Sequence, residues 1–229
     1  MLVTMSMMLE GRTYRAYLDP GQEAKATQYA AVARCCYNLA REQRELAYRL
    51  TGRSPGYGAQ CRDITELRGA EPWIREAPVH ICQQAVRDCD TAYRRFFEGK
   101  ARYPRWRRKG VNESFRYPDP KQIEVAKISR RWWKIKLPKL GWVRFRWTRP
   151  IGGIIKNVTV SRDRAGDWTI SICVDTERQP APIAGAKGPV GVDRGIARPY
   201  QSSDDQDDWV DIPGLKPKEA ERLRRLERS

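Results

Sequence analysis

The hydrophobic period of this chain changes near residue 100, and that change decides its fold class. Between Pro20 and Gly99 apolar residues recur every three or four positions, whereas from 113 to 175 they recur at every second position. Side chains three and four apart share a helix face, and alternate side chains share a strand face. A helical block followed by a run of half-buried strands predicts an α+β protein. One strand comes before the helices, because residues 12–18 (Arg-Thr-Tyr-Arg-Ala-Tyr-Leu) alternate. A helical insertion of about 80 residues therefore separates the first strand from the later ones.

Asp19-Pro20 supplies a capping carboxylate and a first-turn proline, which together start a helix well. Tyr29, Val32, Cys36, Leu39, Leu46 and Leu50 follow at helical spacing, so 20–50 is expected to form one long amphipathic helix ended by Gly52. A Gly/Pro loop at 53–59 carries Tyr57, and a short helix is expected at 60–69. A second long helix, 78–98, lines up Ile81, Ala85, Cys89, Ala92 and Phe96, with Cys82, Val86, Tyr93 and Phe97 beside them. In the strand region Trp133, Ile135 and Leu137 oppose Lys134 and Lys136, and Val143, Phe145 and Trp147 oppose Arg144 and Arg146. Trp168, Ile170, Ile172 and Val174 oppose Thr169, Ser171 and Cys173. Short strands with an apolar inside and a cationic outside predict a small barrel or a strongly curled sheet. Further on, the composition of 178–188 reads as a linker and 189–194 as a new strand; acidic residues cluster at 204–211, and Pro217 starts a basic amphipathic helix.

The positive charge is concentrated. The whole chain is at +16, but residues 100–149 hold 17 Lys and Arg against 3 Asp and Glu, while the other residues hold 27 against 25. A balanced body with one basic block suggests a surface for a polyanion. Trp106, Trp132 and Trp142 stand among these cations; they suit either stacking on unpaired bases or packing against the helical insert. The six cysteines make no C-x-x-C pair and the only histidine is His80, so a zinc site made by this chain alone is not expected. Cys82 and Cys89 are expected to be packed thiols. No run approaches the length of a membrane span, and without a secretory pattern a reducing cytoplasm is the default.

Several ordered motifs resemble one family. They are Tyr14-Arg15-Ala16-Tyr17-Leu18, Cys36-Tyr37-Asn38, Glu71-Pro72-Trp73-Ile74, Gln83-Gln84-Ala85-Val86-Arg87-Asp88 and Ala92-Tyr93-Arg94-Arg95-Phe96-Phe97. Then come Tyr103-Pro104-Arg105-Trp106-Arg107, Ser114-Phe115-Arg116-Tyr117-Pro118, Ile135 to Val143, and Gly191-Val192-Asp193 with Gly195. In order and spacing the chain resembles TnpB, also called OrfB, a transposon-encoded family.

The resemblance implies an RNA-guided DNA nuclease. It implies an OB-like wedge β-barrel (11–19 with 100–177) interrupted by a helical recognition insert (20–99), then a linker (178–188) and the first part of an RNase H-like, RuvC-type domain (189–229). Residues 1–10 are expected to be disordered or a misassigned start. The family's first catalytic carboxylate, a ligand of Mg²⁺, maps onto Asp193. Two such ions, about 4 Å apart, need further carboxylates; the later carboxylates and the zinc-ribbon cysteines find no positions in this sequence. The expectation is therefore a protein that binds guide RNA and double-stranded target DNA with an incomplete catalytic set. The alternatives are a nuclease-dead RNA-guided repressor and one part of a split nuclease. No membrane and no small-molecule substrate are implied. Tyr57 and Gln83 hold the places of the family's target-motif readers. The backbone contacts expected of the basic block are Arg105, Arg107, Arg108, Lys109, Arg116, Arg130, Arg131, Lys134, Lys136, Lys139, Arg144 and Arg146.

Overall fold

The computed structural model describes residues 8–176, together with two short strands at Val192–Asp193 and Gln201–Ser202. The linker, the acidic cluster, the basic helix and the rest of the strand expected at 189–194 lie outside the described residues. The chain divides into two units, 1–179 and 180–229.

The first unit opens with β1 (Leu9–Tyr17), followed by α1 (Pro20–Thr51), α2 (Tyr57–Ala70), α3 (Pro72–Glu76) and α4 (Val79–Phe97). Six strands follow: β2 (Ser114–Tyr117), β3 (Glu124–Lys127), β4 (Trp132–Leu137), β5 (Gly141–Arg146), β6 (Ile154–Arg162) and β7 (Trp168–Asp175). They form an antiparallel sheet in the order β2-β6-β7-β1-β5-β4-β3. The strand that comes first in sequence thus sits in the middle of the sheet, and α1–α4 are inserted between it and its neighbours. β1 pairs with β7 over Leu9–Arg15 and with β5 at Ala16 and Tyr17. Among the described residues no ladder joins the edge strands β2 and β3, so the sheet is open in its hydrogen bonding. The fold is α+β.

The sheet's period of two is visible in its core. Phe115, Val160, Ile170 and Tyr14 meet across four neighbouring strands, and Ala16 meets Phe145 on the next; all are buried. Taking a large apolar side chain out of water contributes about 1.5–3 kcal/mol, so this continuous row is a main stabiliser of the sheet. The helices join the same core through Tyr29, Val32, Cys36, Ile81, Val86 and Cys89. Cys82 and Cys89 are fully buried thiols. Burial pushes the Cys89 thiol up to about 11.

The entry to α1 is a reciprocal cap. The Asp19 carboxylate accepts from the Gln22 N–H at 2.8 Å, and the Gln22 amide oxygen accepts from the Asp19 N–H at 3.2 Å. This satisfies two of the orphan donors at the helix start. Gly52 ends the helix at φ 70°, a left-handed conformation that glycine adopts without a Cβ penalty.

Four sequence expectations need correction. β1 starts at Leu9 rather than at 11–12. Tyr57 is the first residue of α2 rather than part of a loop. The five-residue α3, started by Pro72, was not foreseen. Leu39, Leu46 and Leu50 are exposed, because the second half of α1 runs past the apolar core. What is buried there is Ala40, Arg41 and Arg44. Spacing alone places residues on a stripe but does not show how much of the stripe is covered. No helix among the described residues is long and apolar enough to cross a membrane.

Candidate nucleic-acid interface

The β4–β5 hairpin turns its apolar residues inward and sets a mixed row on its outer face. Trp132 stands opposite Arg146, Lys134 opposite Arg144, and Lys136 opposite Trp142. Trp132 is 36% exposed and Trp142 37%. The Lys134 Nζ lies 4.6 Å and the Lys136 Nζ 5.9 Å from the Trp142 ring. On β1, Tyr17 stands opposite Arg144 and meets the edge of Trp132 with ring centres 5.0 Å apart. Lys136 is paired with Glu124 at 2.7 Å. Arg144 and Arg146 have no ion-pair partner among the described residues, and neither do the exposed Arg130 and Arg131 at the β3–β4 turn. Like charges set opposite each other on a sheet destabilise it, so folding alone gives no reason for this row.

Lys139 differs from the others. It caps the hairpin in the left-handed region at φ 60°, and its Nζ donates to the carbonyls of Arg75 at 3.2 Å and Glu76 at 3.1 Å. Its ammonium ties the turn to α3.

Of the other expected contacts, Arg116 lies on β2, and Arg105, Arg107, Arg108 and Lys109 lie on the irregular segment 103–112, which runs along α1. Asn38 clamps Arg107 through both backbone groups: its Oδ1 accepts from the N–H at 2.9 Å, and its Nδ2 donates to the carbonyl at 3.0 Å. The Arg107 guanidinium lies 4.1 Å over the Tyr37 ring and bonds Asp88 at 2.9 Å. Arg116 reaches the same carboxylate at 4.0 Å. Arg107 and Arg116 are therefore held by the protein. Arg105, Arg108 and Lys109 are exposed and without ion-pair partners among the described residues. Trp106 is 45% exposed.

Tyr57 and Gln83 approach the same face of α4. The Arg87 guanidinium lies 5.1 Å over the Tyr57 ring and donates to its hydroxyl at 3.4 Å, and Arg87 is one turn after Gln83. Burial raises the Tyr57 phenol above its ordinary value, with a bond to Cys61 acting the same way and Arg87 opposing both, so the hydroxyl stays protonated. Arg87 was not singled out from the sequence, although its i+4 offset from Gln83 is the signal that would have found it. His80 makes a single long contact, 3.5 Å, to the Gln122 amide.

Among the described residues no group of three His, Cys, Asp or Glu side chains is placed to hold a metal ion. Asp193 lies on β8 (Val192–Asp193), paired with Gln201 on β9 (Gln201–Ser202); its side chain is outside the described residues.

Fold and surface together define an α+β protein whose central antiparallel sheet carries a cationic, tryptophan-bearing outer face. Residues 5–53 match the OrfB/IS605 model described as a helix-turn-helix domain. Within that match the structure holds one strand and one helix, β1 and α1, rather than two helices about a turn. The chain is 32% identical over 197 residues to the candidate RNA-guided DNA endonuclease InsQ of Escherichia coli, covering 84% of this chain and 47% of that one. It is also 32% identical over 194 residues to a candidate RNA-guided DNA endonuclease of Streptomyces pristinaespiralis, covering 80% of this chain and 45% of the relative. The chain thus spans about half the length of these curated relatives. Over the matched residues it belongs to the TnpB (OrfB) family.

Proposed function

We propose that the described residues are the nucleic-acid-binding part of an RNA-guided DNA-recognition protein of prokaryotic cytoplasm. In this reading the sheet is the OB-like wedge, α1–α4 are the recognition insert, and guide RNA lies along the outer face of β4 and β5. The observation that carries the reading is the row Trp132/Arg146, Lys134/Arg144 and Lys136/Trp142. Cations there neutralise phosphates, with affinity supplied by counterion release, and the indoles offer planes on which unpaired bases stack. Tyr57 and Gln83, with Arg87 beside them, face double-stranded target DNA. An amide can both donate to and accept from an adenine edge, and a good bidentate contact is worth about 1–3 kcal/mol of discrimination. Asp193 then opens an RNase H-like, RuvC-type domain as its first Mg²⁺ carboxylate. The described residues do not assemble the rest of a metal site.

The test is RNA binding as a function of salt. Each lost single-strand phosphate contact lowers the slope of log affinity against log salt by about 0.7, so removing Lys134, Arg144 and Arg146 together should lower it by about 2. A triple variant that keeps both slope and affinity would place the RNA elsewhere. For DNA, the RNA-loaded protein should lose preference for its target motif in Gln83→Ala while RNA affinity holds. Equal loss of both would make Gln83 part of the scaffold.

A further inference from the structure

The segment 103–112 is irregular yet firmly held, and its most exposed aromatic side chain is an indole. Asn38 fixes the backbone of Arg107. The Arg41 Nε donates to the Pro104 carbonyl at 2.9 Å, and the Tyr103 hydroxyl lies 3.2 Å from that of Tyr93. Between these anchors Trp106 projects with 45% of its surface in water. One face of its ring is taken: the Arg41 guanidinium, itself almost fully buried, lies 4.1 Å from the ring centre and 5.3 Å from Tyr103. Arg41 also pairs with Glu45 at 3.0 Å. Beside the indole opens a groove of about 920 Å³, lined by Tyr37, Tyr103, Arg105, Trp106, Arg108 and Asn112. Three carboxylates near it are engaged, Glu45 with Arg41, Asp88 with Arg107, and Glu113 with Arg34 at 2.8 Å, while Glu42, in the neighbouring hollow with Trp106, is exposed and has no ion-pair partner among the described residues. Arg105 and Arg108 at the groove have no ion-pair partner among the described residues.

We infer that this groove is a nucleotide site separate from the β4–β5 face, in which an unpaired base of single-stranded nucleic acid stacks on Trp106 while Arg105 and Arg108 hold its flanking phosphates. Arg41 fixes the indole in place before the ligand arrives, so little side-chain freedom is left to lose on binding. A groove that combines an aromatic plane with unpaired cations fits a base and its phosphates together, which neither an apolar peptide nor a free anion would use in full. The site rests on the reading of the chain as a nucleic-acid binder, but it makes its own claim about where one base sits.

The full chain is titrated with a labelled single-stranded RNA of mixed sequence, and its contacts are mapped by ultraviolet cross-linking. Trp106→Ala should weaken binding by between about fivefold and a hundredfold, the range expected for one stacked base, with the salt slope unchanged. Trp106→Phe should retain most of the affinity and keep a ring under Arg41. Arg105→Gln with Arg108→Gln should lower the salt slope by about 1.4, and cross-links should fall within 103–108. Unchanged binding by a folded Trp106→Ala protein, or cross-links on the hairpin but none in 103–108, overturns the inference. If Trp106→Ala does not fold, as judged by its melting curve, the arginine pair and the cross-links decide. Loss on Trp106→Ala with no effect of the Lys134, Arg144 and Arg146 triple variant leaves this site standing and overturns the hairpin reading; the reverse result overturns this site alone.

Discussion

Lys134 and Arg144 stand directly opposite each other on β4 and β5, cation against cation. Such a pair costs the sheet a fraction of a kcal/mol to about 1 kcal/mol relative to a matched one. Arg144→Glu turns the repulsion into an ion pair and breaks no ion pair of Arg144 among the described residues. Its melting temperature should stay level or rise, with a gain of about 0.2–1 kcal/mol, while RNA affinity falls at low salt. A variant that loses stability and keeps its affinity would mean that the arginine serves the fold.

Asn38→Ala should destabilise the protein. It removes two hydrogen bonds to the Arg107 backbone and leaves a part-buried N–H and carbonyl without them, at a cost of about 1–3 kcal/mol per group left unsatisfied. Chemical denaturation measures it. Because the segment that carries Trp106 is released, single-stranded RNA binding should weaken as well.

Gly153→Ala should be the most damaging small change in the sheet. Gly153 sits at φ 97°, and a Cβ there would lie 2.2 Å from the backbone oxygen of Asp175. Neither atom is the movable end of a side chain, so β6 and β7 must separate locally. Added to the left-handed backbone penalty of about 1–2 kcal/mol, the loss should exceed that of an ordinary surface substitution several-fold, read as a lowered denaturation midpoint.

Arg68→Ala should loosen the insert. Its guanidinium donates to the carbonyls of Ile74 at 2.8 Å, Arg75 at 3.2 Å and Ala77 at 3.0 Å, and to the Cys82 sulfur at 3.3 Å. It thereby joins α2, α3 and the start of α4. A charged hydrogen bond is worth about 1.5–3 kcal/mol, and partial exposure reduces the total toward that of a single bond. The Cys82 thiol is held down at about 7, first by the bond from Cys36 and then by Arg68 against its burial. A thiol whose folded value lies below its unfolded value of 9.0 adds stability as pH rises from about 7 towards 9. Arg68→Ala should flatten that rise, measured as melting temperature against pH; an unchanged slope would assign the shift to Cys36 alone.

The sequence by itself determined the class of this protein and most of its elements. A period of 3.6 gave α1 and α4, a period of two gave β4, β5 and β7, and Asp19, Pro20 and Gly52 marked the ends of α1, because local geometry dictates which side chains share a face. Concentrated charge pointed to the outer face of β4 and β5 for the same reason. Only the tertiary structure decided which cations are available. Arg107, Arg116 and Lys139 look in the sequence like Arg105, Arg144 and Arg146, yet the first three are engaged by Asp88 and by the end of α3. It also set Arg41 beneath Trp106 and Arg87 over Tyr57, and it placed β1 between β5 and β7. Those contacts join residues from 19 to 166 positions apart, and pairing at such separations follows from how the whole core closes, which no local period records.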